Sequence, residues 1–161
     1  MAIFAFGNAD TWASELATVL SKTKPYLITT FRRVPILTNG GITPMGTLLS
    51  AAGGCAVGLA HYLTLWCFAS KLAWSRAPPQ WPLILFGAVA GLVGSLLDSL
   101  VGATLQYSGL DKEGKVISDP SQSVKHISGM NLIGNSYVNF VITIIVGLVT
   151  PFAGKAFWAL F

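Results

Sequence analysis

Gly94-Ser95-Leu96-Leu97-Asp98-Ser99-Leu100-Val101-Gly102-Ala103-Thr104 lies inside an apolar run, Trp81 to Tyr107, whose only formal charge is Asp98. A run of that length can cross a bilayer, which takes about 20 apolar residues. A carboxylate at the centre of such a helix costs roughly 2.5–3.5 kcal/mol on insertion scales, so it needs a partner or a task. Gly87, Gly91, Gly94, Ser95, Asp98 and Gly102 recur at helical spacing. Small residues on one face let another helix approach closely. The acid is therefore expected to face a protein interface or a wet cavity rather than lipid.

The rest of the chain agrees with a membrane setting. Of 161 residues, 53% are hydrophobic and only 10% are charged, against about 25% in soluble domains. Mean hydropathy is +0.64. The expected fold is an all-α integral membrane protein. It forms one domain over residues 1–161: a small bundle with three clear transmembrane helices at about 44–70, 82–107 and 132–154, plus a partial N-terminal helix over 1–20. The apolar start, Met1 to Phe6, lacks the basic region of a signal peptide and reads as the tail of a helix that begins elsewhere, so truncation at the N-terminus is expected. Cys55 and Cys67 share one span, a spacing that suits neither a zinc site nor an extracellular disulfide framework.

The cations sit between the apolar runs. Lys22, Lys24, Arg32, Arg33, Lys112, Lys115 and Lys125 lie in the 21–43 and 108–130 segments, and Lys71, Arg76 and Lys155 lie on the other side. The positive-inside rule assigns the first set to the cytosolic face or its equivalent. The net charge of +4 thus reflects topology; without basic-aromatic interleaving, no nucleic-acid partner is expected.

Several groups could carry chemistry at that face. Asp10 and Glu15 are hard oxygen ligands suited to Mg²⁺, which needs only one or two carboxylates plus substrate phosphates. Five residues apart, they lie roughly 140° around an α-helix and cannot share an ion unless the helix is broken; the plainer reading is a solvated helix face. Arg32-Arg33 and the turn Thr38-Asn39-Gly40-Gly41 suit phosphate, through guanidinium forks and glycine-exposed backbone N–H groups. The plainer reading there is a topogenic loop and a turn leading into a helix. Asn131, Asn135 and Asn139 recur every four residues and are expected to bridge helices, the alternative being a polar wall for a headgroup. His61 reads as a hydrogen-bonded or interfacial histidine, and Lys125-His126 as part of a solvated loop.

Together these stretches resemble the transmembrane protein 19 family. The likeness is carried by Ala9-Asp10-Thr11-Trp12-Ala13-Ser14-Glu15, Leu27-Ile28-Thr29-Thr30, Thr38-Asn39-Gly40-Gly41-Ile42-Thr43, Gly94 through Gly109, and Lys125-His126-Ile127-Ser128-Gly129. One plant branch of that family is a phytyl-phosphate kinase of tocopherol synthesis; another is tied to sugar-responsive growth without a settled chemistry. The resemblance implies a prenyl-phosphate-kinase-like transferase using a nucleoside triphosphate. Asp10, Glu15 and Asp98 would then be the catalytic and Mg²⁺-binding acids. Arg32, Arg33, Thr38, Asn39, Gly40, Gly41, Lys125 and His126 would bind phosphate or nucleotide. There are two departures. Members have further upstream spans, and where they read Asp-Ile-Leu-Asp-Asn-Asn, this chain reads Asn131-Leu132-Ile133-Gly134-Asn135-Ser136. These departures favour an alternative: a non-catalytic membrane scaffold, or a helix–helix partner for a missing half. A third reading is a small-solute transporter with Asp98 in its pathway; against it, the chain shows no inverted repeat.

Overall fold

The computed structural model describes residues 1–20, 23–121 and 123–160. Lys22, counted above among the loop cations, lies outside the described residues. Among the described residues, three helices are long and apolar enough to cross a membrane: α3 (Pro44–Phe68), α5 (Pro82–Leu105) and α6 (Asn135–Trp158). The third starts and ends a few residues later than the hydropathy pattern suggests. A short α4 (Lys71–Arg76) lies between α3 and α5. At 1.5 Å per residue, the 25 residues of α3 reach about 37 Å, enough for a hydrocarbon core of about 30 Å. Pro44 occupies the first turn of α3, and Thr43 caps it by accepting the Gly46 N–H at 2.9 Å. Outward faces carry Leu59, Leu63, Val89, Val93, Ile144, Leu148 and Phe152, all exposed, as lipid-facing residues should be.

The N-terminal segment is short but central. Its first part, α1 (Ala2–Thr11), buries Ala2, Ala5, Phe6 and Ala9, one stripe at helical spacing. Phe6 forms a core with Val138 and Ile142 of α6, against which Leu97 and Val101 of α5 pack. A π-helical turn, Trp12–Leu16, follows, then α2 (Ala17–Leu20).

The small-residue stripe of α5 does meet other helices, but not one alone. A Cβ on Gly87 would stand 2.6 Å from the Gly54 carbonyl oxygen of α3, and one on Gly91 would stand 2.8 Å from the Gly54 Cα. One helical turn further on, the space beside Gly94 is filled by the Phe6 ring of α1. Gly102 faces neither helix; its neighbours are Gln106 and the Gly40 backbone. On α3, Gly54 and Gly58 face α5, whereas Gly46 faces Ala13 and Ala17.

The two polar stretches, read from sequence as loops, fold into small sheets at one end of the bundle. β1 (Tyr26–Leu27) pairs antiparallel with β2 (Gly41–Ile42). In the second sheet, β3 (Ser108–Leu110) lies between β4 (Val116–Ile117) and β5 (Lys125–Ser128). Leu27 and Val34 are buried against Ala103, in the last turn of α5. The N–H groups of Met130 and Leu132 donate to the carbonyls of Thr104 and Leu105, at 2.9 and 3.2 Å. Those α5 carbonyls would otherwise be unmet at a helix C-terminus.

Candidate functional site

Below this sheet-bearing end lies a cavity of about 490 Å³. It is walled by α1, the π turn and α2, by Thr23, Pro25 and the segment 36–43, and by the start of α3, the later half of α5 and the start of α6. Asp10, Glu15 and Asp98 all line it. The π turn explains how the first two can. In the π turn the Ala17 N–H reaches back five residues to the Trp12 carbonyl, and this wider winding narrows the α-helical offset between positions 10 and 15. π turns inside helices are frequent at functional sites.

The polar inventory is one-sided. Carboxylates, hydroxyls and amides line the cavity, and no Lys, Arg or His is among its described lining residues. Ser95 donates its hydroxyl to Asp10 Oδ1 at 3.4 Å, a long bond. Asp98 Oδ1 and Asn139 Oδ1 are buried with no hydrogen-bond partner among the described residues. Buried acceptors are nearly always satisfied, so these two unmet oxygens, on residues that line the same cavity, mark a place for a donor or a cation. Their chemistry fits Mg²⁺, which takes oxygen ligands and keeps water or phosphate in its remaining positions. The three carboxylates do not form a metal cluster by themselves: no group of three His, Cys, Asp or Glu side chains is placed to hold an ion among the described residues.

The glycine turn also lines the cavity, but much of its hydrogen-bonding capacity is spent on the fold. Asn39 donates its N–H to Ser108 Oγ at 3.0 Å and its side-chain amide to the Tyr107 carbonyl at 2.9 Å. Thr38 and Gly41 donate their N–H groups to Pro35 and Thr38 carbonyls. Gly40 has φ +74°, and a Cβ there would stand 2.5 Å from the Ser99 carbonyl oxygen of α5. The turn thus clamps the β1–β2 hairpin to α5, and glycine is needed at position 40 for both the backbone angle and the close approach.

The cations stand elsewhere. Arg32 and Arg33 are exposed and do not line the cavity. The Arg33 guanidinium lies 5.5 Å from the centre of the Tyr26 ring, and its Nε donates to the Tyr26 hydroxyl at 3.2 Å. Lys125 and His126 lie on β5 and also do not line the cavity. His126 Nε2 is 2.8 Å from the Gly129 carbonyl oxygen, and its ring stacks on Tyr107. The structure therefore gathers Asp10, Glu15, Asp98 and the Thr38–Gly41 turn into one cavity and leaves Arg32, Arg33, Lys125 and His126 outside its lining.

Sequence reading missed other lining groups. Ser95 and Ser99 were visible as neighbours of Asp98, but nothing in the pattern separated them from ordinary small residues. Gln106, 5% exposed, donates its side-chain amide to Asn135 Oδ1 at 3.4 Å. Asn135 and Asn139 line the cavity, as the polar-wall alternative expects, and Asn135 also bridges to Gln106; Asn131 is exposed, lies before α6 and does not line the cavity.

Comparisons with known proteins agree with this architecture. The chain is 44% identical over 151 residues to Protein PGR of Arabidopsis thaliana, covering 93% of this chain and 52% of that protein. It is 32% identical over 145 residues to an uncharacterized membrane protein of Methanocaldococcus jannaschii, covering 90% of this chain and 46% of the relative. A Synechocystis membrane protein, also uncharacterized, is 33% identical over 107 residues, which is 66% of this chain and 36% of that one. The chain spans about half the length of the first two relatives. No solved structure matches it. Residues 1–147, which hold α1, α3, α5, most of α6 and every wall of the cavity, match the family described as Integral membrane protein DUF92, so the chain belongs to this family of integral membrane proteins.

Proposed function

We propose that this chain carries the site of a membrane-embedded phosphotransferase of the transmembrane protein 19 type, acting on a prenyl monophosphate with a nucleoside triphosphate as donor. The observation that carries the reading is the cavity at the sheet-bearing end of the bundle, walled by acids, hydroxyls and amides, with two unmet oxygens on its lining residues and no cation among its described lining residues. Two phosphorylated reactants could not share such a site by direct contact with its carboxylates. They could through Mg²⁺, which when bound neutralises phosphate oxygens. Asp98, Asn139 and Asp10 are the residues that would hold the ion, and Glu15 also lines the cavity. Ser95 orients Asp10 through its hydroxyl. An oxygen of the lipid phosphate attacks the terminal phosphorus of the nucleotide, and the bond to the departing nucleoside diphosphate breaks. The acceptor is already ionised, so no strong base is required, and catalysis is mainly positioning and charge stabilisation.

A scaffold or partner role is the second reading. It is favoured by the separation of Arg32, Arg33 and Lys125 from the cavity and by the absence of acids in Asn131–Ser136. The deciding assay incubates purified protein in lipid nanodiscs with phytyl or geranylgeranyl monophosphate, Mg²⁺ and either CTP or ATP. Prenyl diphosphate formed with one donor supports the transferase. No product with either donor, from protein that is folded and binds its lipid, favours the scaffold.

A further inference from the structure

Phe31 and Leu37 are the only non-glycine residues with positive φ among those described, at 53° and 71°. Large L side chains rarely adopt that region, and such outliers persist only where the surroundings over-determine them. Both are also strongly exposed, at 71% and 74%. Ile36, beside Leu37, is exposed as well. The exposure does not come from a slack backbone. Phe31 N–H donates to the Leu27 carbonyl at 2.8 Å, Leu27 N–H to Arg32 at 2.9 Å, and Val34 N–H to Pro25 at 2.9 Å. Leu27 and Val34 point inward, against Ala103. The loop is tied down by its inward residues while three large apolar side chains are held outward.

The level of the loop indicates what covers them. β2 ends at Ile42 and the span α3 begins at Pro44, so the hairpin sits where a transmembrane helix leaves the hydrocarbon. Arg32 and Arg33, both exposed, lie between the apolar tips. Apolar tips flanked by guanidinium groups match the two layers at that depth, acyl chain and phosphate. We propose that Phe31–Leu37 is an interfacial anchor: Phe31, Ile36 and Leu37 enter the boundary between acyl chains and headgroups, and Arg32 and Arg33 bind lipid phosphates there. Ile36 and Leu37 also line the cavity, so the anchor holds the cavity opening at headgroup depth. This inference rests on the chain spanning a bilayer and not on the phosphotransfer reading; either can fail without the other.

The test uses the full chain with Cys55→Ala and Cys67→Ser, carrying a single nitroxide label at Leu37→Cys, Phe31→Cys or Ile36→Cys. Ile36, whose backbone is unstrained, keeps the test available if the other two sites disturb folding. The protein is placed in vesicles of phosphatidylcholine alone or with phosphatidylglycerol. Accessibility to oxygen and to a water-soluble nickel chelate is measured by electron spin resonance. Labels at the anchor should favour oxygen severalfold, and a label at Lys112→Cys, on the exposed β3–β4 turn, should favour nickel. Phosphatidylglycerol should deepen the anchor labels, and Arg32→Ala with Arg33→Ala should abolish that deepening. Nickel accessibility at the anchor equal to that at Lys112 overturns the proposal, as does protection from both reagents, which would mean burial against protein. Deepening that survives the double alanine change overturns the role given to the arginines.

Discussion

Asp98 keeps a carboxyl oxygen without a hydrogen-bond partner among the described residues, within a helix where unmet polar groups are costly. Asn139 does the same from the facing helix. If these oxygens hold a cation, replacing the acid with its amide removes charge while keeping shape. Asp98→Asn should then abolish prenyl diphosphate formation with insertion and yield unchanged. Its affinity for Mn²⁺, followed by the spin resonance of the bound ion without nucleotide, should fall at least about tenfold, the smallest loss typical even of residues one shell further out. Parent-like turnover and Mn²⁺ binding would remove Asp98 from the site. Gly40 makes a different kind of demand. An L residue at its positive φ costs about 1–2 kcal/mol from handedness alone, and its Cβ would also press on α5. Gly40→Ala should lower the thermal midpoint in detergent micelles clearly more than Gly41→Ala, whose φ is not in that region and whose nearest neighbours lie at 3.0 and 3.1 Å. Equal midpoints would contradict the clamp described here.

At the level of elements, close backbone contact joins α3 to α5. Gly54, Gly58, Gly87 and Gly91 bring main chains together, the arrangement expected where lipid offers no hydrophobic drive and packing must hold helices. Gly54→Leu would place a side chain where the Gly87 carbonyl already stands. Overpacking typically costs about 1–3 kcal/mol, and a backbone neighbour cannot swing aside. The expected result is loss of the folded fraction on denaturant titration in mixed micelles. Val93→Ala, on the exposed face of α5, should leave the titration nearly unchanged. Comparable effects of the two changes would mean that these helices do not meet along the glycine line. The π turn is the other decisive element. Its wider winding narrows the angle between Asp10 and Glu15, both of which line the cavity.

Across the whole molecule, the segments 23–43 and 106–134 meet at one end, as the bonds from Asn39 to Ser108 and Tyr107 require. The 69–81 connection, at the far ends of α3 and α5, lies opposite. Loop charge assigns the sheet-bearing end to the cytosolic face. In a background with Cys55 and Cys67 replaced, cysteines at Ser75 and Ser118 should label from opposite sides of sealed vesicles. Equal accessibility of both positions would overturn the three-span arrangement.

The spans, and the common end of the two cation-bearing segments, followed from the sequence itself. A bilayer imposes a length, an apolar composition and internal hydrogen bonding on each crossing, and these constraints are local in the chain. The glycine stripe likewise announced a helix contact. What it could not announce was that one face serves several partners along its length: α3 at Gly87, α3 and α1 together at Gly91, Phe6 at Gly94, and Gln106 with the Gly40 turn at Gly102. The neighbour at each height depends on where other elements end. Only the tertiary structure brought Gln106, Asn135 and Asn139 into one cavity with Asp98, and only it held Arg32 and Arg33 away from the cavity beside the glycine turn that lines it. Residues six apart in the chain can part company because the β1–β2 hairpin turns one toward α5 and the other toward the bilayer surface; that choice is made by burial of Leu27 and Val34 against Ala103, a contact between positions about 70 residues apart.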